Sequence, residues 1–252
     1  MNSSVVALLT DFGQTDHYVG VMKCVVAGIA PAAQLIDISH AVPPQSILAG
    51  QRLIRASYPY LPEGAVLLAV VDPGVGTQRR AIALHSHDRF FVGPDNGLLT
   101  PLLDGRWQAV ELTNPRYRLP ATSATFHGRD VFAPAAAHLA AGVPLADLGP
   151  PVADLLRLDV PEPIIAPDGT VRGEIVYMDH FGNLVSNISR TPGGGKVSFH
   201  GLDLPVVLTY GEVPVGQPLA LVGSDGQLEI AVRNGNAARS LNANVGDPVT
   251  LS

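Results

Sequence analysis

Two uninterrupted apolar runs, residues 5–10 (VVALLT) and 65–71 (AVLLAVV), each break directly into an aspartate, Asp11 and Asp72. Short runs without polar alternation do not suit strands that keep one wet face. They suit strands buried on both sides, which belong to parallel sheets covered by helices. Between the two runs, Val19, Met22, Val26 and Ile29 recur at helical spacing, Thr15 or Asp16 stands where a cap belongs, and Pro31 stops the helix. Residues 35–38 form a second short strand, and Ser46 caps a helix carrying Leu48, Leu53 and Ile54. Strand, helix, strand, helix, strand predicts an α/β fold with a central, mostly parallel sheet. Two more short strands follow at 81–84 and 89–92, joined across residues 85–88. A turn signal at 93–97 (GPDNG) comes next, then an alanine-rich helix at 128–141 that Gly142 ends.

The pattern changes near Gly149. Residues 149–169 are dense in proline, and the reading divides the chain into a domain 1–155, a linker 156–169 and a domain 170–252. In the last domain strands are expected at 173–178, 184–188, 197–199, 206–209, 219–222, 228–232 and 248–251. No convincing helix lies among them, which predicts a small all-β barrel or sandwich.

Composition narrows the partners. At 46% hydrophobic and 15% charged the chain can build sizeable cores, and a net charge of −6 offers no basic field for nucleic acid or anionic lipid. The single cysteine, Cys24, cannot close an intrachain disulfide. The start carries no positive segment and its apolar run is too short for a signal peptide or a membrane span, so the cytoplasm is the expected location.

Ligands of open α/β sheets bind beyond the carboxyl ends of the strands, where Asp11 and Asp72 stand. Asp72 opens the loop DPGVGTQRR, whose glycines permit close backbone approach, but no Gly-Lys-Ser/Thr follows as in a phosphate loop. Arg79 and Arg80 are either a solvated pair, or one of them folds back onto Asp72. A guanidinium fork fixes a carboxylate's orientation and favours its charged form. His127, before Gly128 and the alanine-rich helix, is a cap, a packing residue or a group facing a cleft. The eight histidines show no metal-ligand spacing, so no metal site is expected, and His85 and His87 read as a polar hairpin turn. Residues 179–183 (DHFGN), 223–226 (GSDG) and 233–236 (RNGN) read as turns between strands.

Taken together, LTDFG (9–13), VDPGVGT (71–77), VGPDNG (92–97), FHGRD (126–130), DHFGN (179–183) and LEIAVRNGNAA (228–238) resemble, in order and over nearly the whole chain, the S-adenosyl-L-methionine hydroxide adenosyltransferases, relatives of the bacterial fluorinase and chlorinase. The resemblance implies an N-terminal α/β domain, a C-terminal β-barrel, and a homotrimer whose ligand lies between domains of neighbouring subunits. It implies S-adenosyl-L-methionine as substrate rather than cofactor, with no other cofactor, and attack of water at C5′ to give adenosine and L-methionine. By the same resemblance Asp11 accepts from both ribose hydroxyls, Asp179 meets the methionine ammonium, and Ser224 contacts the methionine carboxylate. Asn183 and the stretch from Arg233 to Ala237 belong to the adenine region, and Phe126 lines the reaction centre. Asp72, Arg79 and His127 match the set around the attacking water, with Arg79 preferred to Arg80 by its spacing from Asp72.

The departures are as informative. The fluorinase has a tyrosine where Asp72 stands, a serine where Gly128 stands and a threonine where Val75 stands, so the hydroxyls that hold halide are missing. Its arginine at the position of Asp225 is also missing. The rival expectations are a halide-using 5′-halo-5′-deoxyadenosine synthase and a non-catalytic binder of S-adenosylmethionine or adenosine.

Overall fold

The computed structural model describes residues 4–189 and 195–252, so the first three residues of the start lie outside it. Two compact units emerge, 1–159 and 160–252.

The first unit is built on β1 (Val5–Thr10), α1 (Tyr18–Ile29), β2 (Gln34–Ser39), α2 (Ile47–Ser57), β3 (Val66–Val70), β4 (Ala81–Ser86), β5 (Arg89–Pro94), β6 (Trp107–Glu111), α3 (Ala133–Ala140) and β7 (Pro151–Val152). Its sheet runs β2-β1-β3-β5-β4-β6-β7. β1 and β3 are buried at every position, as their unbroken apolar sequences require. Val6, Leu8, Val66, Leu68 and Val70 face one core with Met22 and Val26 of α1 and Ala133, Ala136 and Ala137 of α3. The alternate residues point to the opposite face. There α2 comes so close that a Cβ on Gly50 would lie 2.7 Å from Leu98 and 3.2 Å from Val71.

The sheet is mixed, which corrects the expectation of a mostly parallel one. The ladders among β2, β1, β3 and β5 are parallel, whereas β4 pairs with β5 and β6, and β6 with β7, in antiparallel fashion. A parallel pair needs a crossover, but β4 and β5 are joined by a tight turn. His87 and Asp88 both adopt positive φ, 50° and 57°, as a two-residue primed turn demands.

Local chemistry moved other boundaries. Neither Thr15 nor Asp16 caps α1; His17 holds the N-cap position without a side-chain bond. Ser46 does cap α2, accepting from Ala49 N. The expected single helix at 128–141 is instead a π turn, Gly128–Phe132, followed by α3. Pro134 explains it: with no N–H it cannot bond the carbonyl of Asp130, which accepts from Leu119 N at 2.9 Å instead.

The second unit comprises β8 (Ile164–Ile165), β9 (Val171–Met178), β10 (Leu184–Ser186), β11 (Val197–Phe199), β12 (Leu202–Leu204), β13 (Pro218–Val222), β14 (Leu228–Val232), a short helix α4 (Ala237–Ser240) and β15 (Pro248–Leu251). The strand order is β12-β11-β15-β9-β10-β14-β13, with β8 added to β9. The sheet curls until the chain beyond β12 meets β13: Val207 N donates to Ala220 O, and Ala220 N to Pro205 O, both at 2.9 Å. Residues 206–209 therefore make a single bridge rather than the expected strand. Inside lie Ile175, Leu184, Phe199, Leu228, Ile230 and Val249, and α4 contributes Ala237. Among the described residues no helix is long and apolar enough to cross a membrane.

Candidate active site

Thr10 and Val70 are opposite one another in the β1–β3 ladder, so Asp11 and Asp72 leave the same edge of the sheet from adjacent strands. From β1 the chain crosses to β2 on one side and then returns to β3 on the other. Such a reversal opens a crevice at the carboxyl ends of the strands, and both aspartates stand at it.

The Asp72 loop folds back on itself. Thr77 N and Thr77 Oγ1 both donate to Gly74 O, and Arg79 N donates to Thr77 Oγ1. Gly76 has φ 77°, and a Cβ there would lie 2.5 Å from Ala124 O, so the loop seats against the 124 backbone only with glycine. This fold aims Arg79 at Asp72. Its Nε donates to Oδ1 at 2.9 Å and its Nη2 to Oδ2 at 2.5 Å, with both side chains under 10% exposed. The guanidinium also lies 5.1 Å from the centre of the Phe132 ring.

Arg79 Nη2 makes a further contact, 2.9 Å to His127 Nδ1. Arginine only donates, so Nδ1 accepts, and the imidazole is neutral with its proton on Nε2. Burial and then the neighbouring Arg79 charge push the His127 pKa below its ordinary value, partly opposed by Asp72. Geometry and electrostatics thus agree on the neutral ring.

His127 stands immediately before the π turn. Asp130, wholly buried within that turn, accepts from Ser123 N at 2.7 Å and pairs with Arg129. Burial works to raise the Asp130 carboxyl, but Arg129 and the Ser123 N–H outweigh it and hold it below the usual range. Phe126 packs edge-on against Tyr18 and Phe12, with centroids 5.2 and 6.1 Å away. A Cβ on Gly128 would lie 3.1 Å from Met22 Sδ and 3.3 Å from Phe12, so the aromatic wall closes tightly over it. Asp11 is half-buried, and its Oδ2 accepts from Gln45 N at 2.8 Å. Arg80, the alternative partner for Asp72, goes instead to Asp95 and Asp154.

In the second unit, Asp179 and Asn183 bind each other. Asp179 Oδ1 accepts from Asn183 N, and Oδ2 accepts from Asn183 Nδ2 at 3.0 Å. Gly182, at φ 83°, packs directly on Asn236, which caps α4 by accepting from Arg239 N. Ala238 N donates to Gly182 O, so the loop carrying Asp179 and Asn183 is tied to the start of α4, where Ala237 stands. Arg233 is turned to other work: its Nη1 donates to Gly211 O and Val213 O. Ser224 is exposed at a turn closed by Gly223 N donating to Gln227 O. Beside that turn Tyr210 donates to Glu229 Oε1 at 2.7 Å, and burial together with Glu229 pushes the phenol pKa up.

The structure therefore joins Asp72 and His127 through Arg79, with Phe126 next in the chain, and gathers Asp179, Asn183 and Ala237 separately. Gln45, Phe132 and Tyr210 escaped the sequence reading. Gln45 acts through its backbone at φ 64°, which its side chain does not announce. Asn236 lies within the stretch 233–237 already assigned to the adenine region, but its capping of α4 went unread although an Asn directly before a small helical run signals it. Among the described residues no group of three or more His, Cys, Asp or Glu could hold a metal ion.

Comparison with known proteins bears on what this arrangement does. The family described as the SAM hydroxide adenosyltransferase N-terminal domain matches residues 6–149, and its C-terminal domain matches residues 173–250. An (R)-S-adenosyl-L-methionine hydrolase from Thermus thermophilus is 48% identical over 98% of both chains. One from Salinispora tropica is 43% identical over 98% of this chain and 97% of its own. A fluorinase from an Actinoplanes strain is more distant, 29% identical over 98% of this chain and 97% of its own. A crystal structure of an uncharacterized conserved protein from Thermotoga maritima superposes with a TM-score of 0.90 at 36% identity, covering 98% of this chain and all of the other.

Proposed function

The chain belongs to the SAM hydroxide adenosyltransferase family, and from that premise we propose that it is an S-adenosyl-L-methionine hydrolase, in which water displaces methionine from C5′ to leave adenosine. The names of its relatives favour a substrate of R configuration at sulfur. The observation that carries the reading is the contact set Asp72–Arg79–His127 at the crevice edge.

The leaving group is a sulfonium that departs as a neutral thioether, so no general acid and no Lewis acid is needed, and we infer a metal-independent reaction without a cofactor. The demand falls on the nucleophile. One water must be held in line with the C–S bond and relieved of a proton. Positioning of this kind supplies about 7–11 kcal/mol in favourable cases, and a general base roughly 10²–10⁴-fold. His127 Nδ1 is occupied by Arg79 and its Nε2 carries the proton, so Asp72 is the acceptor for the water and His127 Nε2–H a donor that orients it. Arg79 fixes both partners at once. Asp11 takes the ribose hydroxyls, Phe126 walls the reacting carbon, Asn183, Arg233 and Ala237 serve adenine, and Asp179 and Ser224 serve the methionine end. Arg233 serves through its backbone, since its guanidinium is committed elsewhere.

We further propose that the curled sheet of the second unit acts as a β-barrel domain, that the site is completed in a cytoplasmic homotrimer, and that each substrate meets the N-terminal residues of one subunit and the C-terminal residues of a neighbour. The support is that the assigned contacts are divided between two units, each with its own core.

The test is incubation of the chelator-treated protein with each sulfur epimer in heavy-oxygen water, followed by mass spectrometry of the nucleoside. Adenosine carrying one heavy oxygen at 5′, formed from the R epimer and lost in Asp72→Ala, is the expected result. A halogenated nucleoside formed on adding halide points to the synthase instead. Substrate recovered intact and bound would refute catalysis altogether.

A further inference from the structure

A polar network that no step above uses runs from the surface of the first unit to the foot of Asp11. At its outer end Lys23 Nζ lies 2.6 Å from Asp37 Oδ2, and both side chains are about one-third exposed. Asp37 Oδ1 lies 3.1 Å from His40 Nε2, within ion-pairing reach although the N–H is not well aligned on it. Burial works to raise the Asp37 carboxyl, but Lys23 and His40 outweigh it and hold it below the usual range. His40 itself is only 3% exposed, and its Nδ1 lies 2.8 Å from Thr10 Oγ1, which is fully buried. Thr10 Oγ1 in turn accepts from Phe12 N at 3.3 Å. The Asp37 carboxylate 3.1 Å away favours the ring proton on Nε2, so Nδ1 accepts from the Thr10 hydroxyl and the donors run in one sense from Phe12 N through Thr10 to His40.

The same histidine ties two chain segments at Asp11. Gly13 N donates to His40 O at 2.8 Å, so residues 10 and 13, on either side of Asp11, are both held by His40. The segment that leaves His40 returns at Gln45, whose N–H donates to Asp11 Oδ2. Among the described residues Gln45 N is the one donor to this carboxylate, which leaves Oδ1 and one lone pair of Oδ2 to accept two hydroxyls. A vicinal diol needs both oxygens at a fixed angle, and a carboxylate hinged only on its own Cα would not keep it.

We infer that Thr10 and His40, backed by Asp37 and Lys23, are positioning residues that fix the Asp11 carboxylate for a vicinal diol and thereby set the enzyme's discrimination between ribosyl and 2′-deoxyribosyl sulfonium substrates. This rests on the reading of Asp11 as the ribose-binding carboxylate. Buried polar contacts of this kind hold their members in one arrangement, and a site built to bond a hydroxyl rejects the analogue that lacks it.

The experiment compares kcat/KM for S-adenosylmethionine with that for its 2′-deoxyadenosyl analogue. Thr10→Val keeps the shape and removes the hydroxyl, and Thr10→Ser restores the hydroxyl. The ribose preference is expected to fall roughly tenfold in Thr10→Val, about the loss of one buried hydrogen bond, and to return in Thr10→Ser. A merely structural role lowers both substrates together and leaves their ratio untouched. A wild-type ratio in Thr10→Val, with the ratio collapsed in Asp11→Asn, overturns the network and leaves the Asp11 reading standing. A wild-type ratio in Asp11→Asn removes the Asp11 reading and the inference with it. Should Thr10→Val fail to fold, Asp37→Ala at the exposed end replaces it, with a several-fold fall in the same ratio expected and an unchanged ratio counting against the network.

Discussion

Arg79 holds two partners with one planar group: Nε and Nη2 on Asp72, and Nη2 again on His127. A lysine carries the charge but not the fork. Arg79→Lys is expected to keep the fold and lower kcat/KM by roughly 10²–10³, the range seen when one oriented electrostatic partner is lost. Steady-state kinetics beside a thermal melt separates this from unfolding, and unchanged kinetics would remove Arg79 from the site. His127 makes a pH prediction. Burial and Arg79 lower its pKa, so the neutral ring that accepts from Arg79 persists below the pH at which an ordinary histidine charges. The acid limb of kcat/KM that belongs to His127 therefore lies below the usual histidine value, and His127→Gln should abolish that limb. Stability has the same sign. The unfolded chain takes up its proton at the higher pH, so the contribution is whole above the ordinary histidine value and disappears as pH falls through the lowered one. At this scale the spacing of residues in the sequence was a partial guide. Seven positions separate Asp72 from Arg79, and a fold-back was foreseeable, but the residues alone left Arg80 as an alternative until the family resemblance chose Arg79 by its spacing. What excludes Arg80 is Asp95, a buried carboxylate on the turn after β5 that takes it instead.

At the scale of elements, the loop from Asp72 to Arg79 depends on Gly76. Its φ of 77° and the 2.5 Å that would separate a Cβ there from Ala124 O leave no room for a side chain. Gly76→Ala is expected to cost about 2 kcal/mol and to lower the unfolding midpoint by roughly 4–8 °C in a chain of this size. Activity should fall further than stability, because the same displacement moves Arg79; scanning calorimetry run beside the kinetics checks both. The buried strands β1 and β3 were legible because nothing but apolar residues fills them. β6 was not, since Trp107–Glu111 (WQAVE) mixes polar and apolar residues without a clean period and gains its place by pairing with β4. The π turn was hidden for another reason. Pro134 was visible, but the donor that takes up the Asp130 carbonyl, Leu119 N, comes from a loop no local pattern could place.

Over the whole molecule, the sheet of the first unit changes from parallel to antiparallel beyond β5 because a two-residue turn replaces a crossover. Periodicity reports whether a strand is buried on one face or two, not which way its neighbour runs, so only the hairpin turn read at residues 85–88 carried the direction of β4. The division of assigned contacts between two units leads to the trimer proposal, and dilution below the assembly threshold should abolish turnover while leaving each unit folded. The means to watch this is already in the chain. Cys24 is its one thiol, exposed on α1. A single maleimide reaction therefore places one dye per subunit at a known residue. Mixing donor-labelled with acceptor-labelled protein turns subunit exchange into a fluorescence signal, and the dependence of transfer efficiency on the labelling ratio counts the copies in each particle.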